Sequence, residues 1–364
     1  MRIAGTRMAF PPHYFGQDEV LAALKSYWDK GMENAAVLER LHARTGVEGR
    51  YFSRRLEEYQ ALDTWGKTND VWIETAVRLG EEAIGGLLAE TGLPPEKIGT
   101  IFSVSVTGIG CPSVEARLIN RMKLPVHIKR TPIFGLGCVA GASGLARAAD
   151  YVKAYPDQAA ILLSVELCSL TWQRNNLSVP NLISSGLFGD GAAAVLVVGD
   201  ELAEEMAAQG RATALGPRIV ASQATFYPNS EEVMGWAISE HGFRIILSAD
   251  VPTVVKQHLG GNVDDFLAAH GLTRSDIGGE TASWIMHTGG PKVLEANAEA
   301  LGLTREDFRL SWEALRRAGN LSSASVLMVL NDVMREHRPP AGTRSLLVAM
   351  GPGFCSEMVL LEWG

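Results

Sequence analysis

The second half of this chain repeats the order of motifs found in its first half. Four pairs of segments match in the same order, the first three at offsets between 179 and 182 residues. The pairs are a turn motif at 91–98 and 270–277, an apolar strand at 101–107 and 284–288, a helix start at Cys138 and Asn320, and a second apolar strand at 159–165 and 345–350. Such regularity predicts an internally duplicated α/β protein.

Within each half, apolar strand patterns alternate with amphipathic helix patterns such as the one at 69–90. This alternation predicts mostly parallel sheets covered by helices. We assign the halves to residues 1–205, with Cys138, and 206–364, with His287 and Asn320. A long loop containing Pro180 is expected before the buried strand at 192–198.

Composition and charge argue against several classes of protein. A net charge of −8 disfavours a nucleic-acid or anionic-membrane binder. No apolar run reaches the roughly 18 residues of a membrane span, and no N-terminal signal stands out. The four cysteines are widely spaced and form no Cys-x-x-Cys pair, which favours free thiols in a reducing cytoplasm and predicts no metal site.

Cys138 lies where a strand pattern turns into a helix pattern. Gly135 and Gly137 precede it, and small and apolar residues at helical spacing follow. Unpaired N–H groups and the dipole at a helix N-terminus favour thiolate over thiol, which predicts a nucleophile. A buried, inert cysteine in a Gly/Ala-rich helix is an equally good interpretation of this window alone.

The repeat connects Cys138 with two further polar residues. Asn320 has the equivalent position in the second half, and His287 lies near the end of the strand before it. Together they predict an acyl-transfer site in which His287 holds Cys138 as a thiolate. His287 and Asn320 would then donate hydrogen bonds to a thioester oxygen. Taken singly, each fits a structural role, Asn320 as a helix N-cap.

Five motifs resemble the type III polyketide synthases, the chalcone-synthase-like branch of the thiolase superfamily, and bacterial members most. They are Gly-Leu-Gly-Cys-Val-Ala-Gly at 135–141, Leu-Phe-Gly-Asp-Gly-Ala-Ala-Ala at 187–194, His-Thr-Gly-Gly-Pro-Lys-Val-Leu at 287–294, Gly-Asn-Leu-Ser-Ser-Ala-Ser-Val at 319–326 and Gly-Pro-Gly at 351–353. The resemblance implies a five-layered αβαβα thiolase fold, a homodimer, and a catalytic triad of Cys138, His287 and Asn320.

The resemblance also implies an iterative reaction on coenzyme A (CoA) thioesters without a further cofactor. Cys138 takes an acyl group from a starter acyl-CoA, malonyl-CoA loses carbon dioxide, and the enolate attacks the bound acyl group. Arg40, Arg44 and Lys292 fall where relatives meet CoA phosphates. Without the resemblance, a solvated helix face is the better interpretation of the arginine cluster near the start of the chain, which consists of Arg40, Arg44, Arg50, Arg54 and Arg55.

The expected cavity departs from the family pattern at several positions. Phe188 keeps one aromatic gate residue, but the second falls at Ile245. Cys168 replaces a common Thr, Thr171 keeps a small polar side chain, and Cys111 replaces a Met that reaches the partner's cavity in relatives. The shorter side chains suggest space for a long or branched starter, although a repacked cavity of unchanged volume is the alternative.

We therefore expect a synthase that uses a fatty acyl-CoA and malonyl-CoA to make an alkylpyrone or alkylresorcinol. Self-priming on malonyl-CoA to give tetrahydroxynaphthalene is the rival within the family. A ketoacyl synthase that performs one condensation, and a catalytically inactive acyl-CoA-binding paralogue, are more distant alternatives.

Overall fold

The computed structural model describes residues 1–28, 35–173, 175–211, 216–278 and 283–364. Within these ranges, no helix is long and apolar enough to cross a membrane. Thirteen strands are found in the described ranges: β1 Arg2–Ala9, β2 His13–Gly16, β3 Gly49–Phe52, β4 Ile98–Val104, β5 Lys129–Ile133, β6 Ala159–Leu167, β7 Asp190–Val198, β8 Arg218–Phe226, β9 Met234–Ser239, β10 Gly242–Leu247, β11 Trp284–Met286, β12 Arg344–Gly351 and β13 Cys355–Glu362.

Helices precede or connect most of these strands. Over the same part of the chain, eleven α-helices are present: α1 Gln17–Tyr27, α2 Ala35–Ala43, α3 Trp65–Thr91, α4 Val114–Met122, α5 Ala140–Ala154, α6 Val179–Leu187, α7 Asp200–Met206, α8 Val251–Ala269, α9 Pro291–Leu301, α10 Arg309–Ala318 and α11 Ala324–Glu336. The amphipathic pattern at 69–90 thus forms most of α3, which Thr64 caps and Gly92 ends.

The sheet confirms the duplication. Its strand order is β11-β12-β13-β8-β1-β7-β6-β4-β5, so the order β4-β6-β7-β1 of the first half recurs as β11-β12-β13-β8 in the second. The two half-sheets meet at the pair Arg2–Arg218. The expectation of mostly parallel sheets is wrong. The pairs β4–β5, β4–β6 and β11–β12 are parallel, whereas β1, β7, β8 and β13 pair antiparallel.

Three apolar clusters separate five layers. Helix α3 packs outside the first half-sheet, and α8 and α9 pack outside the second. Helices α5 and α11 lie between the half-sheets and contribute more residues to the central cluster than any other helix. This arrangement is the αβαβα layering that the sequence motifs imply, and it brings the N-terminal ends of α5 and α11 close together.

The loop expected around Pro180 is instead helix α6. Pro180 lies in the first turn of that helix, where a missing N–H leaves no hydrogen bond unmade. The boundary predicted at 205/206 stays a prediction.

Candidate active site

Cys138 lies on a tight turn in which glycine precedes it at a closely packed position. A short 3-10 turn over Gly137–Val139 leads into α5, and Gly137 has a positive φ of 55°. A Cβ on Gly137 would lie 2.6 Å from Cδ of Pro352, in the turn between β12 and β13. The Gly-Pro-Gly motif at 351–353 therefore packs directly against the turn that presents the thiol.

The Cys138 thiol is almost fully buried and donates a hydrogen bond to a serine. Its Sγ lies 3.7 Å from Oγ of Ser322, and the residue is 7% exposed. Burial raises the pKa of Cys138 to about 12, whereas the Ser322 hydrogen bond lowers it. The sequence analysis assigned no role to Ser322, which reaches the thiol from a backbone turn with a positive φ of 49°.

Asn320 is fixed through its side-chain oxygen. Oδ1 accepts hydrogen bonds from the N–H of Ser322 at 2.7 Å and from Oγ of Ser325 at 3.1 Å. Because these bonds engage the oxygen, they orient the amide, and its NH₂ group has no partner among the described residues. Backbone hydrogen bonds from Asn320 N to Leu187 O at 2.9 Å and from Gly189 N to Asn320 O at 3.0 Å flank Phe188.

His287 follows β11 directly, and its backbone N–H donates a hydrogen bond to Val348 O on β12 at 3.0 Å. The imidazole is 6% exposed, its Nδ1 has no hydrogen-bond partner in the described part of the chain, and burial lowers its pKa to about 4. Among described residues, no hydrogen bond joins His287 to Cys138. Burial therefore acts against both charges of the thiolate–imidazolium pair expected from the sequence, and that pair stays a prediction.

The thiol opens into a largely apolar cavity. Its volume is about 570 Å³ with the open mouth included. Its walls include Cys168, Thr171, Phe188 and Ile245, as the sequence analysis expected. Further wall residues were not anticipated: Val106, Thr107, Trp172, Ser184, Met234, Gly235, Trp236, Ile246, Leu247, Ser322 and Pro352.

Two indoles, those of Trp172 and Trp236, line the same cavity as Ile245. Trp236 and Ile245 face each other across the β9–β10 hairpin, which covers the cavity. The half-buried hairpin lacks the long apolar run that makes a strand visible in sequence, which is why its wall residues were missed.

The remaining expected site residues lie outside this cavity. Arg40 on α2, Arg44 just after it, and Lys292 in the first turn of α9 are exposed. The chain after Arg44 runs beside α9, because a Cβ on Gly46 would lie 3.4 Å from Pro291 Cγ. Cys111 is exposed in the loop between β4 and α4.

A buried carboxyl lies behind the cavity wall. Glu166 accepts hydrogen bonds from the N–H of Val106 at 3.1 Å, from Oγ1 of Thr107 at 2.9 Å, and from the hydroxyl of Ser323. Burial raises its pKa, and these hydrogen bonds lower it. The carboxyl thereby fixes Val106 and Thr107, which line the cavity, and Ser323, which follows Ser322.

The layered fold and a buried thiol at the start of a central helix define an acyltransferase of the thiolase type. Sequence models of the chalcone and stilbene synthases match the chain, the N-terminal domain at residues 9–201 and the C-terminal domain at 218–363. The chain therefore belongs to the chalcone and stilbene synthase family, and it is a type III polyketide synthase.

Individual relatives agree with this assignment. A 1,3,6,8-tetrahydroxynaphthalene synthase of Streptomyces peucetius subsp. caesius is 44% identical over 361 residues, covering 99% of this chain and 93% of that protein. A putative chalcone synthase of Bacillus subtilis (strain 168) is 38% identical over 322 residues, covering 87% and 86%. The crystal structure of the tetrahydroxynaphthalene synthase of Streptomyces coelicolor A3(2) superposes with a TM-score of 0.89 at 28% identity, covering 100% and 99%.

Proposed function

We propose that this enzyme primes itself with malonyl-CoA and extends the chain with further malonyl-CoA to a tetrahydroxynaphthalene. The observation that carries the proposal is the 44% identity, over 99% of the chain, to a tetrahydroxynaphthalene synthase. The walls of the cavity support it, since the indoles of Trp172 and Trp236 favour a short starter and a flat aromatic product.

The triad acts in a site where both reacting groups start neutral. Cys138 attacks the thioester of the starter as His287 takes its proton, because a lone buried thiolate would be costly. The CoA thiolate leaves and takes a proton from solvent, so that His287 keeps the proton it received from Cys138. Asn320 NH₂ and His287 then donate hydrogen bonds to the thioester oxygen of malonyl-CoA as carbon dioxide leaves. The electron pair left on C2 forms the new bond to the acyl carbon as the bond from that carbon to Sγ of Cys138 breaks, and the released thiolate takes its proton back from His287.

Binding of CoA falls to exposed cations outside the cavity. Arg40, Arg44 and Lys292 would meet the phosphates, which an acidic chain repels elsewhere on its surface. Decarboxylation drives each condensation, and no electrons are exchanged with a redox group. The reaction therefore requires no cofactor beyond the CoA substrates.

A homodimer is part of the same proposal. Strand β5 lies at the edge of the nine-stranded sheet, and four of its five residues are exposed. Ile109 and Phe134 are exposed nearby, each almost half, and Cys111 lies in the same region. An open edge beside apolar side chains favours pairing with a second copy, which light scattering would detect as a doubled mass. We place the enzyme in the cytoplasm, where reducing conditions preserve its free thiols.

The fatty-acyl-primed reaction is the outcome that would replace this proposal, because Ile245 leaves one side of the gate without an aromatic ring. Purified enzyme is incubated with radiolabelled malonyl-CoA, with and without medium- and long-chain acyl-CoA. We expect a tetrahydroxylated naphthalene in both cases, and none from Cys138→Ala. An aromatic or pyrone product that forms only when acyl-CoA is added would overturn malonyl priming.

A further inference from the structure

Arg50, on β3, is fully buried beneath the active site. Its side chain is 0% exposed, and Nη1 donates to two main-chain carbonyls, Ser185 O at 2.9 Å and Phe188 O at 2.6 Å. Nη2 donates to Oε1 of Gln17 at 3.0 Å. A buried guanidinium is costly unless its donors are used. Here both terminal nitrogens donate, whereas Nε has no partner in the described part of the chain.

The two carbonyls belong to the end of α6. The last carbonyls of a helix have no partner within it and carry its negative dipole end, so a cation there is stabilising. Helix α6 ends at Leu187, and the gate residue Phe188 follows. Arg50 therefore holds the carbonyl of the gate residue itself.

The same side chain supports the loop that carries Asn320. A Cβ on Gly319 would lie 2.9 Å from Arg50 Cδ and 2.5 Å from Leu187 O. Phe188 forms a backbone bridge with Asn320, flanked by the hydrogen bonds of Leu187 and Gly189 to Asn320. The stem of Arg50 is thus packed against the Asn320 loop, and its guanidinium is bonded to the Phe188 loop.

Arg50 keeps its charge in this position. Burial lowers its pKa to about 10, and the negative charge of nearby Asp190 opposes that shift. Asp190 is itself bonded by the backbone and hydroxyl groups of Ser53 and Ser169. The cation therefore has a fixed counter-charge and persists at neutral pH.

We infer that Arg50 is a positioning residue that fixes the gate residue Phe188 and the hydrogen-bond donor Asn320 relative to each other. The inference rests on the proposed roles of Phe188 and Asn320. By this inference, Arg50 influences which of two reactions the enolate undergoes. After carbon dioxide leaves, the electron pair on C2 either attacks the acyl group on Cys138 or takes a proton to give acetyl-CoA.

Displacement of the loop that carries Phe188 or the loop that carries Asn320 favours protonation of the enolate to acetyl-CoA. Attack requires the enolate carbon within bonding reach of the acyl carbon, and small displacements cost about 10²-fold in such steps. Protonation has no such requirement. Loss of Arg50 is therefore expected to raise acetyl-CoA released per polyketide formed, and to shift products toward shorter chains.

The test compares Arg50→Met, Arg50→Lys and Arg274→Met with the unmodified enzyme on malonyl-CoA. Arg274 is the control, since it also bonds main-chain carbonyls, Gly260 O at 3.0 Å and Ala300 O at 3.3 Å, but lies between α8 and α9, where it pairs with Asp264. Acetyl-CoA, polyketide products and their chain lengths are measured by mass spectrometry, well below each variant's melting temperature.

For Arg50→Met we expect about a tenfold rise in acetyl-CoA per polyketide. Arg50→Lys keeps the positive charge and a hydrogen-bond donor but loses the planar guanidinium that binds two carbonyls at once. It should therefore give a ratio of acetyl-CoA to polyketide between those of the unmodified enzyme and Arg50→Met. Arg274→Met should lower the melting temperature without changing the ratio. An unchanged ratio in folded Arg50→Met and Arg50→Lys would overturn the inference.

This result is separable from the proposed function. If the unmodified enzyme makes no product from malonyl-CoA alone, malonyl priming fails. The same ratio is then measured with the acyl-CoA starter that does support synthesis. If Arg50→Met does not fold, Arg50→Lys carries the comparison, because it retains the cation at that position.

Discussion

At the scale of single residues, the chemistry depends on how one thiol is kept reactive in an apolar place. Burial holds Cys138 neutral, and Ser322 is the described side chain that hydrogen-bonds its sulfur. Ser322 is held by its own N–H, which bonds to Oδ1 of Asn320 at 2.7 Å. One turn therefore orients both the amide donor and the hydroxyl beside the thiol.

Ser322→Ala should raise the pKa of Cys138 further. The hydrogen bond lowers that pKa, and a net contribution of about 1 kcal/mol corresponds to roughly one pKa unit. The rate of iodoacetamide alkylation at Cys138, followed by mass spectrometry of its peptide, should fall severalfold at each pH from 7 to 9, up to about tenfold. Ser184→Ala is the control, since Ser184 lines the same cavity but bonds to Asn181 O. Equal alkylation rates in the unmodified enzyme, Ser322→Ala and Ser184→Ala would contradict the conclusion that Ser322 lowers the pKa of Cys138.

Sequence patterns located the thiol but not its setting. Cys138 and Asn320 stood out because each begins an equivalent segment of the repeat. Ser322 did not, because its contact with Cys138 depends on a left-handed turn of a non-glycine residue, which no local pattern encodes. Arg50 was grouped with exposed arginines, because sequence alone does not reveal that it is fully buried.

At the scale of elements, the turn before α5 decides where the thiol lies. Gly135 and Gly137 both have positive φ, 94° and 55°, which strains any other residue. Their surroundings differ. A Cβ on Gly135 would meet nothing within 4 Å, whereas one on Gly137 would lie 2.6 Å from Pro352 Cδ. Alanine substitutions at the two glycines therefore distinguish the effect of backbone strain, which both introduce, from the effect of displacing the turn, which only the one at Gly137 introduces.

Gly135→Ala should cost about 1–2 kcal/mol in the free energy of unfolding, from backbone strain alone. Gly137→Ala adds the clash with Pro352, so we expect a further loss of at least about 1 kcal/mol. It should also slow acylation of Cys138 by the starter, measured in a single turnover. Urea unfolding gives the first quantity. Acylation slowed equally by both substitutions would show that the contact with Pro352 does not set the position of the thiol.

Elements with strong apolar runs were predictable and others were not. Strands β6, β7 and β12 are buried along almost their whole length and matched the expected segments closely. Helix α6 was missed because Pro180 resembles a loop signal, although it lies in a first turn. The direction of strand pairing was also wrong, since alternating strands and helices do not reveal that β7 and β13 run against their neighbours.

At the scale of the whole molecule, two half-sheets share one helical layer, and the interior contains ionisable groups that respond to pH. Burial lowers the pKa of His42 to about 3 and that of His287 to about 4, from an ordinary 6.5. The nearby charge of Arg50 adds to the effect on His42. Burial raises the pKa values of the carboxyl groups of Glu166 and Asp190.

The buried histidines and the buried carboxyl groups change the free energy of unfolding in opposite directions as the pH is varied. As pH falls through 6.5, the unfolded chain binds protons on His42 and His287 before the folded protein does, so stability is lost toward pH 4. The carboxyl groups cost stability as pH rises above their ordinary values of 4.5 and 3.8, because the folded state holds their protons longer. The pH dependence of the total free energy of unfolding is therefore a sum of opposite effects. The contribution of one histidine is measured by substituting that residue alone.

His42→Gln isolates one of them at the contact between α2 and α6. His42 Nε2 lies 3.2 Å from Oγ of Ser185, and a glutamine offers that hydroxyl a polar partner without a titrating group. The stability difference between the unmodified enzyme and His42→Gln should shift by up to about 3 kcal/mol between pH 7 and pH 4.5, with the unmodified enzyme losing more. Urea unfolding across that range measures it, with exposed His241→Gln as control. Parallel curves for His42→Gln and the unmodified enzyme would mean that His42 takes up its proton without opening the α2–α6 contact.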